Sequence, residues 1–474
     1  MEQPGMHAMS YQQRREMLAR HHAQTLWVYW TLAILGIWMI ISPLTFDYSF
    51  GADEETLGRE VWLTFSERVS VMQWSDFISG ILLTVFAWRS LAPNRPVSLW
   101  TCCAIGIWLT LAPVLFWAPN ALLYLNNTLV GMLVISLSIL IPGMPNMIMY
   151  MQMGGEVPPG WSYNPSSWAQ RWILIVAGFA GWLVSRYLAA FQLGYLDSVY
   201  DPLFAGGTRR VLTSDMSRSW PISDAALGTL AYTFEFLMGF MGSPARWRTM
   251  PWMVAIFGFL VIPLGLVHIV LVISQPLVVG EWCTMCILAA ALMLPMIPLE
   301  ADEVVAMGQH VWQCKKRGES AWKVFWKGGS PLGSTADRRM PKLENLPMQP
   351  KRVLYASIVG MSFPFSLVLS TMLGLWIIFT PYLFGTSGTA ADLNYLIGSL
   401  VVTVSVISMG EVLRAGRYLN ILLALALASG ILIISGSTAL AAISNITVAV
   451  ILALFALPKG LIYERYGLWQ KYVR

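Results

Sequence analysis

The sequence predicts an all-α, polytopic membrane protein of about twelve spans in a four-four-four arrangement, with a four-helix bundle at its centre. Three observations carry that expectation. The 474 residues are 56% hydrophobic and only 12% charged, whereas a soluble domain carries about 25% charged residues. Apolar runs of roughly 18 or more residues recur along the whole length. The runs are continuous rather than alternating, which is the helical signal and not the barrel signal. The net charge of +5 asks for no nucleic-acid partner, because the basic residues gather in particular loops and there serve orientation.

Residues 1–25 are polar, carry Arg14, Arg15 and Arg20, and read as a cytoplasmic N-terminal segment with no cleavable signal peptide. The first four spans are expected at roughly 26–46, 74–91, 99–117 and 122–141, inside a module of 26–150. The middle four are expected at roughly 168–190, 222–241, 251–273 and 282–299, inside a bundle of 151–299. Residues 300–352 read as a cytoplasmic linker in which Trp312, Trp322, Phe325 and Trp326 alternate with Lys and Arg, the pattern of a short interfacial amphipathic helix. The last four spans are expected at roughly 353–380, 391–409, 418–437 and 439–457, inside a module of 353–474. Placing both termini in the cytoplasm collects Arg89, Arg95, Arg246, Arg248, Arg414, Arg417 and the basic linker on the inner side, as the positive-inside rule requires. The acidic residues Asp47, Asp53, Glu54 and Glu55 then face outward.

The first and last groups share a repeat. Gly36-Ile-Trp38-Met-Ile-Ile-Ser42-Pro43 recurs as Gly106-Ile-Trp108-Leu-Thr-Leu-Ala112-Pro113 and as Gly374-Leu-Trp376-Ile-Ile-Phe-Thr380-Pro381. The span after each copy has an Asp or Asn four residues before a Gly: Asp76/Gly80, Asn127/Gly131 and Asn394/Gly398. A worn fourth copy reads Gly430 to Ser435, with Asn445. Pro kinks or ends a span, Gly lets helices approach, and Asn bonds across them. The repeat resembles the bacterial membrane family named for its Ser-Pro-Trp motif, over roughly 26–141 and 353–457. Leu44, Val114 and Tyr382 stand where that family has its final Trp. The resemblance implies a scaffold.

The chemistry is expected at Gly280-Glu281-Trp282-Cys283-Thr284-Met285-Cys286, a C-x-x-C at the head of an apolar run. Thiols three apart exchange a disulfide for two thiols, and a helix N-terminus favours the thiolate, while Glu281 opposes it by like charge. The orientation puts this pair at the outer surface, across about 30 Å of hydrocarbon from Cys102, Cys103 and Cys314. Val211-Leu212-Thr213-Ser214 precedes Trp220-Pro221 and the second middle span, which holds Tyr232 and Glu235. This order over 168–299 resembles the vitamin K epoxide reductase family. The resemblance implies a quinone, ubiquinone or menaquinone, near Cys286, with Cys283 exchanging disulfides. It implies Ser214 as the loop serine, and Ser214, Trp220, Tyr232 and Glu235 as quinone-pocket residues. It also implies a loop cysteine near Thr208, but residues 192–220 contain none. The partner would then be a thioredoxin-like or other thiol protein on the outer face of a bacterial inner membrane, with lipid around the spans.

Other readings attach to the same residues. Zinc is disfavoured because two thiols need two more ligands, so no metal is expected. Glu235, an acid inside a span, reads as a proton donor or as a protonated acid bonded to a neighbouring helix. His268 reads as a packed core residue. The leading function is a membrane quinone-linked thiol–disulfide oxidoreductase. The alternative is a non-catalytic membrane scaffold or assembly protein with a degenerate redox core.

Overall fold

The computed structural model describes residues 11–50, 60–141, 156–330, 333–337, 339, 350–434 and 436–473. The acidic residues 53–55 and most of the linker after Ser330 lie outside them. Eleven helices among the described residues are long and apolar enough to cross a membrane, so the protein is all-α and multi-pass. The expected twelfth, at 222–241, forms a helix of 17 residues, about 26 Å long and so just short of the hydrocarbon thickness.

In chain order a polar helix, α1 (Tyr11–Gln24), leads into α2 (Leu26–Thr45), α3 (Phe65–Ser90), α4 (Pro96–Leu115) and α5 (Ala121–Leu140). The middle group comprises α6 (Trp168–Gln192), the short helices α7 (Gly207–Leu212) and α8 (Asp215–Arg218), then α9 (Asp224–Phe240), α10 (Arg246–Thr249), α11 (Pro251–Val279) and α12 (Thr284–Lys316). There follow α13 (Ala321–Lys327), α14 (Pro350–Ser357), α15 (Phe365–Phe384), α16 (Thr389–Ile407), α17 (Leu419–Ile433) and α18 (Ala439–Ala456). The only strands among the described residues are β1 (Glu156–Val157) and β2 (Thr335–Ala336), paired antiparallel.

The chain folds as two compact units. The first takes in residues 1–149, 189–197 and 218–230. The second takes in 150–188, 198–217 and 231–474. In the first, α2 crosses α3 where a Cβ on Gly36 would lie 2.9 Å from the Gly80 carbonyl oxygen, and one on Gly80 would lie 2.7 Å from that of Gly36. The pair Gly106 and Gly131 repeats this between α4 and α5, at 2.8 and 2.6 Å. In the second unit Gly374 and Gly398 repeat it again between α15 and α16, at 2.9 and 2.7 Å. These distances exclude any side chain, so backbone meets backbone. The worn copy differs: at Gly430 the neighbour is a side chain, Leu393.

The repeat's polar residues answer one another across each module. Trp38 Nε1 donates to Asn126 Oδ1 at 2.8 Å, and Trp108 Nε1 donates to Ser75 Oγ at 2.9 Å. Each tryptophan thus bonds the residue just before the motif Asn or Asp of the opposite copy. Trp376 does the same, donating to Ser444 Oγ at 2.9 Å beside Asn445. The tryptophans are therefore inter-helix donors.

In the second unit α12 does not stop where its apolar run does. It is 33 residues long and continues to Lys316. Its lower half carries Glu300, Asp302 and Glu303, all buried, about 25–30 Å along the helix from Cys283. Arg246 holds Glu303 with two bonds, at 2.7 and 2.6 Å, and Ser166 donates to the same carboxylate. Tyr163 donates to Asp302. This end of the bundle is thus a buried polar layer, which the apolar pattern did not announce.

The glycine crossings give a direct expectation. Gly131→Val in the first unit would place a branched side chain against the Gly106 carbonyl and cost on the order of 1–3 kcal/mol, read as a lower thermal midpoint in detergent.

Candidate functional site

Cys283 and Cys286 are joined as a disulfide, with their Cα atoms 5.2 Å apart. The local sequence explains the placement. Pro276 and the left-handed Gly280, at φ 76°, end α11 and reverse the chain. Cys283 is then extended, at φ −101° and ψ 115°, and serves as the N-cap of α12. Its sulfur accepts from the Cys286 backbone N–H at 3.0 Å, which satisfies one of the orphan donors of the first turn. The pair therefore sits at the positive end of the helix dipole.

The two sulfurs differ in access. Cys283 is fully buried, while Cys286 is half-buried beside the exposed Leu288. The chain packed against the residues on either side of Cys283 is the first turn of α7 and the loop before it. Thr208 Oγ1 accepts from the Thr284 N–H at 3.1 Å. A Cβ on Gly207 would lie 2.4 Å from the Trp282 carbonyl oxygen, so only glycine permits this approach. The Cys283 N–H donates to Gln275 Oε1 at 3.1 Å.

Asp201 is the pin of that segment. Its carboxylate accepts from the Thr208 N–H at 2.7 Å, from the Phe204 N–H at 3.1 Å and from the Thr284 hydroxyl. Burial alone would raise its pKa. The hydrogen bonds outweigh that, led by the Thr208 N–H and the Thr284 hydroxyl, and pull it down to about 2. Arg210 pairs with Glu281 at 2.7 Å on the surface, so the like charge expected to oppose a thiolate is offset by a neighbour.

Of the sequence-predicted pocket residues, Tyr232 is the one the structure brings near the pair. Its hydroxyl donates to the Ala289 carbonyl at 3.1 Å, one turn along α12 from Cys286, and lies 3.5 Å from His268 Nδ1. The close fit of the Tyr232 ring against Gly181 locks it between α6 and α12. Glu235 is a turn further from the pair and fully buried, and neither oxygen has a hydrogen-bond partner among the described residues. The reading of Glu235 as an acid bonded to a neighbouring helix is not met. Ser214 is spent locally, donating to the Val211 carbonyl at 2.7 Å and accepting from the Ser217 N–H at 3.3 Å between α7 and α8. Trp220 belongs to the other compact unit and is 64% exposed.

Asp201 and Thr284 were not legible as site residues because they meet across 83 residues, and Gln275 was not because its contact with Cys283 runs across the turn that ends α11. No group of three His, Cys, Asp or Glu residues is placed to hold a metal ion among the described residues.

Two expectations follow. Above about pH 4 the ionised Asp201 holds the loop, since an unfolded Asp titrates near 3.9. That contribution is lost as pH falls through about 2, so amide exchange at 204–208 should accelerate over that window, and Asp201→Asn should remove the dependence. Second, Thr208→Cys in a Cys286→Ala background should form a disulfide between the introduced thiol and Cys283, detected by non-reducing peptide mapping.

Residues 57–141 match the model of the SPW repeat domain. No curated protein and no solved structure matches the chain. Residues 172–301, from α6 into α12 and including the disulfide and its loop, match the model of the Vitamin K epoxide reductase family.

Proposed function

We propose that this protein is a quinone-linked thiol–disulfide oxidoreductase of a bacterial inner membrane, working through Cys283 and Cys286 at the outer face. The observation that carries the reading is a disulfide at the head of a membrane-spanning helix, within the segment that matches the Vitamin K epoxide reductase family. Both termini lie in the cytoplasm in this reading, and the modules at 26–150 and 353–474 are scaffold.

A bound quinone supplies a two-electron, two-proton acceptor. Such a ring is flat and apolar and carries carbonyl oxygens that need donors. The His268 imidazole, held beside Tyr232 one turn from Cys286, suits such an oxygen, and the exposed Leu288 suits the ring. In the balanced reaction the thiols of Cys283 and Cys286 lose two electrons and two protons and become the disulfide. The helix dipole favours the thiolate needed at each exchange. With no cysteine between 192 and 220, the thiol that completes the cycle comes from a partner protein. Cys286 is the accessible sulfur, and Cys283 becomes reachable when the loop pinned by Asp201 opens.

The test is redox cycling of the purified protein with a short-chain quinone and a dithiol, alongside mass spectrometry of Cys283 and Cys286. Cys286→Ala should lose essentially all quinone reduction, and unchanged turnover in that variant would refute the proposal. The complete burial of Cys283 favours a second reading, a scaffold in which the disulfide is structural. That reading gains if the disulfide stays oxidised in membranes whatever the quinone pool.

A further inference from the structure

At the centre of each repeat module, where two helix pairs meet, the structure places a pair of amide or acid side chains. In the second unit they are Asn394 on α16 and Asn445 on α18. Asn445 Nδ2 donates to Asn394 Oδ1 at 2.8 Å. The atoms left over are Asn394 Nδ2 and Asn445 Oδ1, both buried without a partner among the described residues. One is a donor and the other an acceptor, so this module is left with one of each, although the two do not bond one another.

In the first unit the equivalent residues are Asp76 on α3 and Asn127 on α5, both 0% exposed. Asn127 Nδ2 donates to Asp76 Oδ2 at 3.0 Å, and its second hydrogen goes to the Leu123 carbonyl at 3.2 Å. Both amide hydrogens are therefore used, which fixes the orientation of the Asn127 side chain. Tyr48 donates to the same Asp76 Oδ2 at 2.5 Å. The atoms left over are Asp76 Oδ1 and Asn127 Oδ1, again buried without a partner among the described residues. Here both are oxygens. Two acceptors and no donor is an arrangement that a buried site does not tolerate.

We propose that Asp76 is a proton-binding site, held as a neutral carboxylic acid whose Oδ1 hydroxyl is the donor this buried pair otherwise lacks. A single proton leaves the first module, like the second, with one donor and one acceptor in place of two acceptors. No cation is needed to balance the site, and no basic residue faces it among the described residues. Helices α2, α4 and α5 carry no charged residue. Their titratable groups are Tyr29, Tyr124, Cys102 and Cys103. On α3 itself Glu67 is bound at Thr64 and Arg68 at the Trp117 carbonyl, both more than two turns away, and Arg89 lies beyond three. Within the same unit Tyr195 donates to the Ala118 carbonyl and Asp224 accepts from Gln192. Tyr48 is the titratable group in direct contact with Asp76. The consequence is that the packing of the first module depends on a proton, whereas that of the second does not.

The test uses the full-length protein in lipid nanodiscs. The infrared difference between wild type and Asp76→Asn at neutral pH should contain a protonated carboxylic-acid carbonyl band present only in wild type. Loss of carboxylate bands instead would overturn the proposal. Asp76→Asn should keep the wild-type thermal midpoint at neutral pH and lack the decline that wild type shows as pH is raised, while Asp76→Ala should be less stable at every pH. If Asp76→Asn were as unstable as Asp76→Ala, or if sodium rather than protons stabilised wild type, the site would be a charge or cation site and the proposal would fail.

Discussion

Hydrocarbon offers no hydrogen bonds, so every polar group within a span must find its partner inside the protein. That constraint explains which residues the fold spends at its centres. Lipid also supplies no hydrophobic force to press helices together. The modules answer both demands with the same short motif. Glycine at 36, 80, 106, 131, 374 and 398 brings backbones into contact, and the neighbouring Trp, Asn and Asp side chains close on one another at that contact. The motif is a set of complementary halves, and each half is completed by the other copy.

The central bundle meets the same demand at its two ends with different chemistry. Its C-x-x-C end is closed by Asp201, Thr208 and Thr284, a small net of charge-assisted bonds beside the buried Cys283. Its other end is closed by Arg246, Glu303 and Ser166. Between them the walls are mostly apolar, and Tyr232, His268 and Glu235 are polar residues set among them. A thiol pair at a helix N-terminus, half of it accessible and half covered, suits an exchange that must be gated. The same cover would serve to protect a structural disulfide, which is why the redox state of the pair decides between the two readings.

How much was legible in the sequence follows from the range of each interaction. Apolar runs are local, so the all-α, multi-pass class was plain, and of the twelve expected spans the one that falls short is α9. The C-x-x-C is local too, and its place at the head of α12 followed from the run behind it. The repeat was visible because it recurs, and so were its glycine approaches and its cross-helix Asn bonds, but the particular partners were not. Trp38 and Asn126 are 88 residues apart, and Asp201 and Thr284 are 83 apart. No spacing rule connects such residues.

By itself, then, the sequence determined the fold class, the repeat and the pair of cysteines, all of which rest on composition and on neighbours within a few turns. Only the tertiary structure decided which cysteine is covered, that Glu281 is offset by Arg210, that Ser214 is spent on its own turn, and that Asp76 meets the Asn127 amide. Those outcomes depend on what lies opposite a side chain, and in a membrane bundle the opposite residue is set by helix crossing and not by distance along the chain.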